Sequence, residues 1–158
     1  MRSLIIIITI ATLIGCSDEP CDIPLILPEV PNEEIYQENI NTIQQYLADN
    51  NLVANSTSSG LHYIIEDPGS ESKPDLCDEV TLAYSGMLPN GFVFDASPEI
   101  EFPLIGFIRG WWEGIPLFGK GGKGTLLIPS YLAYGDQSPG GGIPANSVLI
   151  FNIELKDF

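Results

Sequence analysis

"FIRGWWEGIPLFGKGGKG", Phe107 to Gly124, sets both tryptophans of the chain side by side between glycines. Two large apolar side chains need a buried place, yet Pro116 and Gly119 leave the segment only about two turns of helix. A helix that short cannot bury itself, so it must lie across the concave side of a sheet. Successive helical residues point about 100° apart, so the indoles cannot share one direction. One faces the sheet, and the other covers a flank or is partly exposed.

The sheet is written on both sides of that segment. After Gly60 come "LHYIIE", "EVTLAYSGML", "FVFD", "TLLIP" and "VLIFNIEL", short runs rich in β-branched and aromatic residues. The last alternates Leu149, Phe151, Ile153 and Leu155 inward with Asn152 and Glu154 outward. Five strands are predicted, an α+β arrangement. Between Leu88 and Phe92, Asn90-Gly91 predicts a type I′ hairpin, which makes the second and third strands antiparallel neighbours.

Upstream, "PNEEIYQENINTIQQYLADNNL" predicts an amphipathic helix with Asn32 as N-cap, acidic residues in its first turn, and an end near Asn50. Ile35, Tyr36, Ile40, Ile43 and Leu47 form its apolar side, which either packs on the domain or meets a second copy in a homodimer. The polar run "NNLVANSTSSG" reads as a linker, and Asn55-Ser56-Thr57 as loop composition. Between Pro20 and Pro31, prolines recur every three or four residues, which suits a semi-rigid tether.

The start, "MRSLIIIITIATLIGC", has one Arg, an apolar run from Leu4 to Ile14 and a small residue before Cys16, the layout of a secretory signal. The run is too short to cross a bilayer easily. "LIGC" resembles the bacterial lipobox, which implies acylation of Cys16 by palmitate-type chains and attachment to a membrane of the bacterial cell envelope. The expected plan is a signal peptide over 1–15, a tether over 16–31, helix and linker over 32–59, and the main domain over 60–158. In an oxidising compartment, Cys21 and Cys77 either pair in a disulfide or stay as separate thiols.

Composition removes several functions. Six basic residues against 21 acidic ones, a formal net charge of −15, exclude nucleic-acid partners, whose affinity rests on Lys and Arg. "GIPLFGKG", Gly114 to Gly121, has P-loop spacing up to Lys120, but Gly121 stands where the metal-binding hydroxyl belongs. His62 is the only histidine, so a His-dependent triad or multi-His metal site lacks parts. No carboxylate pair or metal site emerges, and no cofactor is expected.

What remains is an ordered set of aromatics and glycines. "TLAYSGMLPNGFVFDAS", "FIRGWWEGI" and "GKGTLLIPSYLAYGDQSPGGGIPANSVLIFNIEL" resemble the FKBP-type peptidyl-prolyl cis-trans isomerases from about Gly60 to Phe158. The Tyr-x-Gly, Gly-x-x-Phe-Asp, Ile-x-Gly-Trp, Ala-Tyr-Gly and Ile-Pro blocks follow in the family's order. The resemblance implies a curved antiparallel sheet of about five strands around one short helix. It places Trp111 at the floor of an apolar pocket and Trp112 at the surface. It also implies a lining of Tyr84, Phe94, Asp95, Phe102, Phe107, Ile108, Tyr134, Ile143 and Phe151, with the Tyr134 hydroxyl and the Ile108 N–H holding substrate carbonyls.

The function so implied is acceleration of Xaa-Pro rotation in proline-containing unfolded or exported polypeptides, with a tacrolimus-like macrolide as an inhibitor of the same pocket. The alternative is a non-catalytic chaperone or peptide-binding lipoprotein. Three departures bear on the pocket. "ASPEIEFPL" after Phe94-Asp95 is shorter than usual and lacks the Arg that pairs with the Asp. Phe107 replaces Val, and "IPAN" replaces Ile-Pro-Pro behind a flexible "SPGGG".

Overall fold

A computed structural model of the protein describes residues 32–158. The expected signal peptide and tether, with Cys16 and Cys21, lie outside the described residues. Cys77 is disulfide-bonded.

The chain runs α1 (Glu33–Asp49), β1 (Asn55–Ser56), β2 (His62–Asp67), β3 (Glu79–Met87), β4 (Val93–Pro103), α2 (Arg109–Gly114), β5 (Lys123–Ile128) and β6 (Leu149–Asp157). One antiparallel sheet has the order β1-β2-β5-β6-β3-β4. The five predicted strands are all present. A sixth, two-residue β1 pairs Asn55 with Tyr63, so part of the segment read as a linker is an edge of the sheet.

The alternation in β6 sorts its residues between two layers. Leu149, Phe151, Ile153 and Leu155 join the main core on the concave side, with Leu82, Leu126, Ile115 and Phe118. Ile150 points the other way, yet it is fully buried, because α1 lies over that part of the sheet. Ile43 closes this second core with Leu127, Val148 and Ile150, flanked by Tyr46 and Leu47. The apolar side of α1 is therefore occupied by its own domain. Its start is as read: the Asn32 side chain accepts a hydrogen bond from the Glu34 N–H, satisfying a free donor of the first turn.

The hairpin after β3 differs from the type I′ expectation. Pro89 fixes its own φ near −65°, and the Gly91 N–H donates to the Leu88 carbonyl at 2.9 Å. Only Gly91 has a positive φ, at 85°, whereas a type I′ turn requires that of Asn90 as well. The loop is a type I turn followed by a left-handed glycine, with proline deciding against Asn-Gly. Antiparallel pairing of β3 with β4 is unaffected.

α2 lies across the concave side, six residues long, with Pro116 in the tight turn that ends it. Gly110 and Gly114, one helical turn apart, face β5. A Cβ on Gly110 would run into Ile128 and one on Gly114 into Leu126. The glycines that frame the tryptophans are what let so short a helix sit on the strand.

Candidate active site

The rings of the concave side converge between β3, β4, β6 and α2. In the register of the sheet, Phe151 on β6 stands opposite Gly86 on β3. A side chain at 86 would collide with the rings of both Phe151 and Phe94, so the glycine of the Tyr84-Ser85-Gly86 block makes the space in which the two aromatics stand. Their centroids are 5.6 Å apart, edge to face. Trp111, only 3% exposed, lies beneath. Its indole is 4.5 Å from Phe107, 5.1 Å from Phe151 and 5.3 Å from Tyr84, the last two edge to face, the geometry that ring quadrupoles favour.

Above this floor is an open cavity of about 650 Å³. Of the ten residues expected there, nine line it: Tyr84, Phe94, Asp95, Phe107, Ile108, Trp111, Tyr134, Ile143 and Phe151. Phe102 does not. It stands at the end of β4, half exposed, with its ring 5.4 Å from that of Phe107. Phe107, in place of the expected Val, lines the cavity itself, its ring 4.5 Å from Trp111.

Trp112 is a second correction. Expected at the surface, it is 9% exposed. Its Nε1–H donates to the Phe107 carbonyl at 2.8 Å, and the Arg109 guanidinium lies 3.7 Å over its ring. The backbone carbonyl satisfies the one polar atom of the indole and the arginine covers its face, so burial carries no unpaired group.

Polar groups gather on one rim. The Tyr84 hydroxyl donates to Asp95 Oδ2 at 2.7 Å. Asp95 makes no ion pair among the described residues, in keeping with the missing arginine after Phe94-Asp95, and the Tyr84 phenol is its side-chain partner. Burial, then the hydrogen bond to Asp95 and the Asp95 charge, push the Tyr84 phenol up to about 12. Burial first and Asp95 second also raise the phenol of Tyr134. Both are therefore neutral hydrogen-bond donors at physiological pH. The Ile108 N–H makes no hydrogen bond to another described residue.

Sequence reasoning passed over part of the lining. Arg109, Ala133, Pro139, Gly140 and Gly141 also face the cavity. Gly140, Gly141 and Gly142 have φ of 93°, 63° and 85°, a left-handed run open to glycine and strained for other residues, so the triple glycine is itself the signal of a sharply folded loop.

Residues 70–156 match the family described as FKBP-type peptidyl-prolyl cis-trans isomerase, a span that includes all nine lining residues. A probable FKBP-type peptidyl-prolyl cis-trans isomerase of Haemophilus influenzae is 46% identical over 106 residues, 65% of this chain and 44% of that protein. The FKBP-type 22 kDa peptidyl-prolyl cis-trans isomerase of Escherichia coli is 42% identical over 107 residues, 65% of this chain and 52% of that one. The chain spans about half the length of these curated relatives. Among solved structures, a peptidyl-prolyl cis-trans isomerase of Pseudomonas syringae pv. tomato is 30% identical with a TM-score of 0.68, covering 82% of this chain and 96% of that one. FkpA from Escherichia coli is 33% identical with a TM-score of 0.66, covering 78% and 62%. With its ring-lined cavity inside the matched span and its fold shared with these structures, the chain belongs to the FKBP-type peptidyl-prolyl cis-trans isomerase family.

Proposed function

We propose that the protein accelerates cis-trans rotation about Xaa-Pro bonds without a covalent step. The observation that carries this reading is the cavity itself, floored by Trp111 and walled by Tyr84, Phe94, Phe107 and Phe151. Amide rotation meets a barrier of ~18–20 kcal/mol because twisting destroys resonance. The planar amide is the more dipolar form, so an apolar, aromatic-lined cavity disfavours it relative to the twisted one. Each 1.4 kcal/mol or so of that difference multiplies the rate about tenfold. A prolyl ring fills the apolar space, while the Tyr134 hydroxyl and the unused Ile108 N–H hold the flanking carbonyls. Asp95, fixed by Tyr84, orients the peptide at the rim.

The same reading gives clients that are unfolded, exported, proline-containing polypeptides. Its support is the secretory layout of the first sixteen residues, with acylation of Cys16 tying the domain to the envelope membrane. Pairing of Cys21 with Cys77 would join tether to domain. A homodimer through α1 would have to use the helix's polar side. A tacrolimus-like macrolide would compete for the prolyl space.

A protease-free isomerase assay on an Xaa-Pro peptide tests the activity. Catalysis that falls at least about tenfold on Phe94→Ala, with the fold retained, supports it. A folded wild type that catalyses nothing but keeps a client from aggregating would replace it with the chaperone reading.

A further inference from the structure

The outer wall of the cavity has no strand to hold it. Tyr134, Pro139, Gly140, Gly141 and Ile143 all lie on one irregular excursion between Ser130 and Val148. Its two stems are tied by a closed circuit of four hydrogen bonds, and the residue that closes it belongs to α1. The Ser130 N–H donates to Asn39 Oδ1 at 2.6 Å, and Asn39 Nδ2 donates to the Asn146 carbonyl at 3.2 Å. The Asn146 N–H then donates to the Gly135 carbonyl at 2.7 Å, and the Gly135 N–H to the Ser130 carbonyl at 2.8 Å.

Asn39 is 3% exposed, and its partners are 91 and 107 residues away in sequence. The circuit dictates its chemistry. One side-chain atom must accept from an N–H and the other must donate to a carbonyl, which a carboxamide does and a carboxylate or alkyl group does not. Without this partner the buried Ser130 N–H bears the penalty of an unpaired polar group and the part-buried Asn146 carbonyl loses its donor, and the cheapest relief is for the stems to part. Tyr134 is bonded directly to Gly135, and Ile143 lies three residues before Asn146, so parting stems displace both cavity residues. α1 grips the same place beside the clamp. Tyr36 packs 5.8 Å from the ring of Tyr131, whose hydroxyl donates to the Ser59 carbonyl, and Ser59 Oγ donates to Glu113 Oε2 of α2 at 2.6 Å.

We propose that Asn39 is a positioning residue for the prolyl cavity: from α1, it closes the loop that holds Tyr134 and Ile143 at their working distance from Trp111. The kinetic part of this proposal rests on the isomerase reading above, and the structural part does not.

The test compares Asn39→Ala and Asn39→Asp with Leu155→Ala in the full chain, well below the unfolding temperature. Leu155 is fully buried at the far end of β6, away from the circuit. We expect Asn39→Ala to lower kcat/KM about fivefold or more. Amide exchange over residues 130–147 should rise about tenfold while the sheet stays within about twofold. Asn39→Asp keeps the acceptor, so the Ser130 amide should stay protected while the Asn146 side opens. Leu155→Ala should lower Tm at least as much with kcat/KM within about twofold of wild type. Unchanged exchange over residues 130–147 in Asn39→Ala would overturn the clamp. A loss of kcat/KM no larger than that of Leu155→Ala would overturn its positioning role. If the wild type catalyses nothing, the exchange pattern alone decides for or against the clamp.

Discussion

Phe94 and Tyr134 act on the substrate in different ways, and their variants should separate. Phe94→Ala removes a ring that packs edge to face on Phe151, opening the cavity where the prolyl ring would sit. Loss of such apolar contact is worth about 1–3 kcal/mol, so kcat/KM should fall at least about tenfold in an isomerase assay. Tyr134→Phe keeps the ring and removes one hydrogen bond, for a loss of about threefold to tenfold. Protons should matter little. The Tyr84 phenol titrates higher in the folded chain than the ordinary phenol at about 10, so its contribution to stability is complete below that pH. It is lost as pH rises from about 10 toward about 12. We expect kcat/KM on an uncharged peptide to stay within about twofold from about pH 6 to about pH 9, and the stability that Tyr84 contributes to be lost only above about pH 10. A steep change near neutrality would point to a titrating group other than the two rim phenols. Nine of ten cavity residues could be read from motif order: Tyr84, Phe94, Asp95, Trp111 and Phe151 stand on a strand or on α2, which fixes their direction, whereas Phe107, Ile108, Tyr134 and Ile143 lie in irregular segments that only the motif blocks mark. Trp112 could not, since its burial depends on a carbonyl five residues earlier in sequence and on Arg109 lying flat, neither of which a motif records.

α2 and α1 show what an element needs from its neighbours. Gly110→Ala gives α2 a better helix former, a gain of up to about 1 kcal/mol. The same change drives a methyl group into Ile128, and overpacking of this kind costs about 1–3 kcal/mol. Destabilisation should win, lowering Tm and shifting Trp111, and near-ultraviolet circular dichroism would register both. Ile43→Ala leaves a hole between α1 and the sheet and should cost about 2–5 kcal/mol by denaturant unfolding. The strands and α1 were legible because their apolar periods of two and 3.6 persist over many residues. β1 was not, for Asn55 and Ser56 are polar, exposed and only two residues long, so pairing with β2 alone defines them. Asn39 sits on the apolar side of α1 between Tyr36 and Ile43, and a polar residue on that side was the one visible sign of the clamp.

Across the whole molecule, charge works against compaction. Lys120, Lys123 and Lys156 pair with Asp157, Glu154 and Glu99 at 2.8, 3.2 and 2.9 Å, but all three pairs are largely solvated, and such contacts are worth about 0–1 kcal/mol. The whole sequence sets 21 acidic groups against six basic ones. Self-repulsion should exceed the ion pairs, so Tm should rise as salt is added to about 0.5 M, where the Debye length falls well under 10 Å. A Tm that drops with salt would mean that the pairs dominate. On the proposed function, one cavity takes a prolyl ring over an indole and lets its amide turn. Exchange spectroscopy on an Xaa-Pro peptide with a small amount of protein, following the Trp111 indole N–H in the same sample, tests this most directly. We predict catalysed cis-trans cross-peaks together with a shift of the Trp111 signal, both weakened at least about tenfold at equal protein concentration by Phe94→Ala. Peptide exchange at the uncatalysed rate with the Trp111 signal unmoved, in a folded wild-type chain, would contradict it.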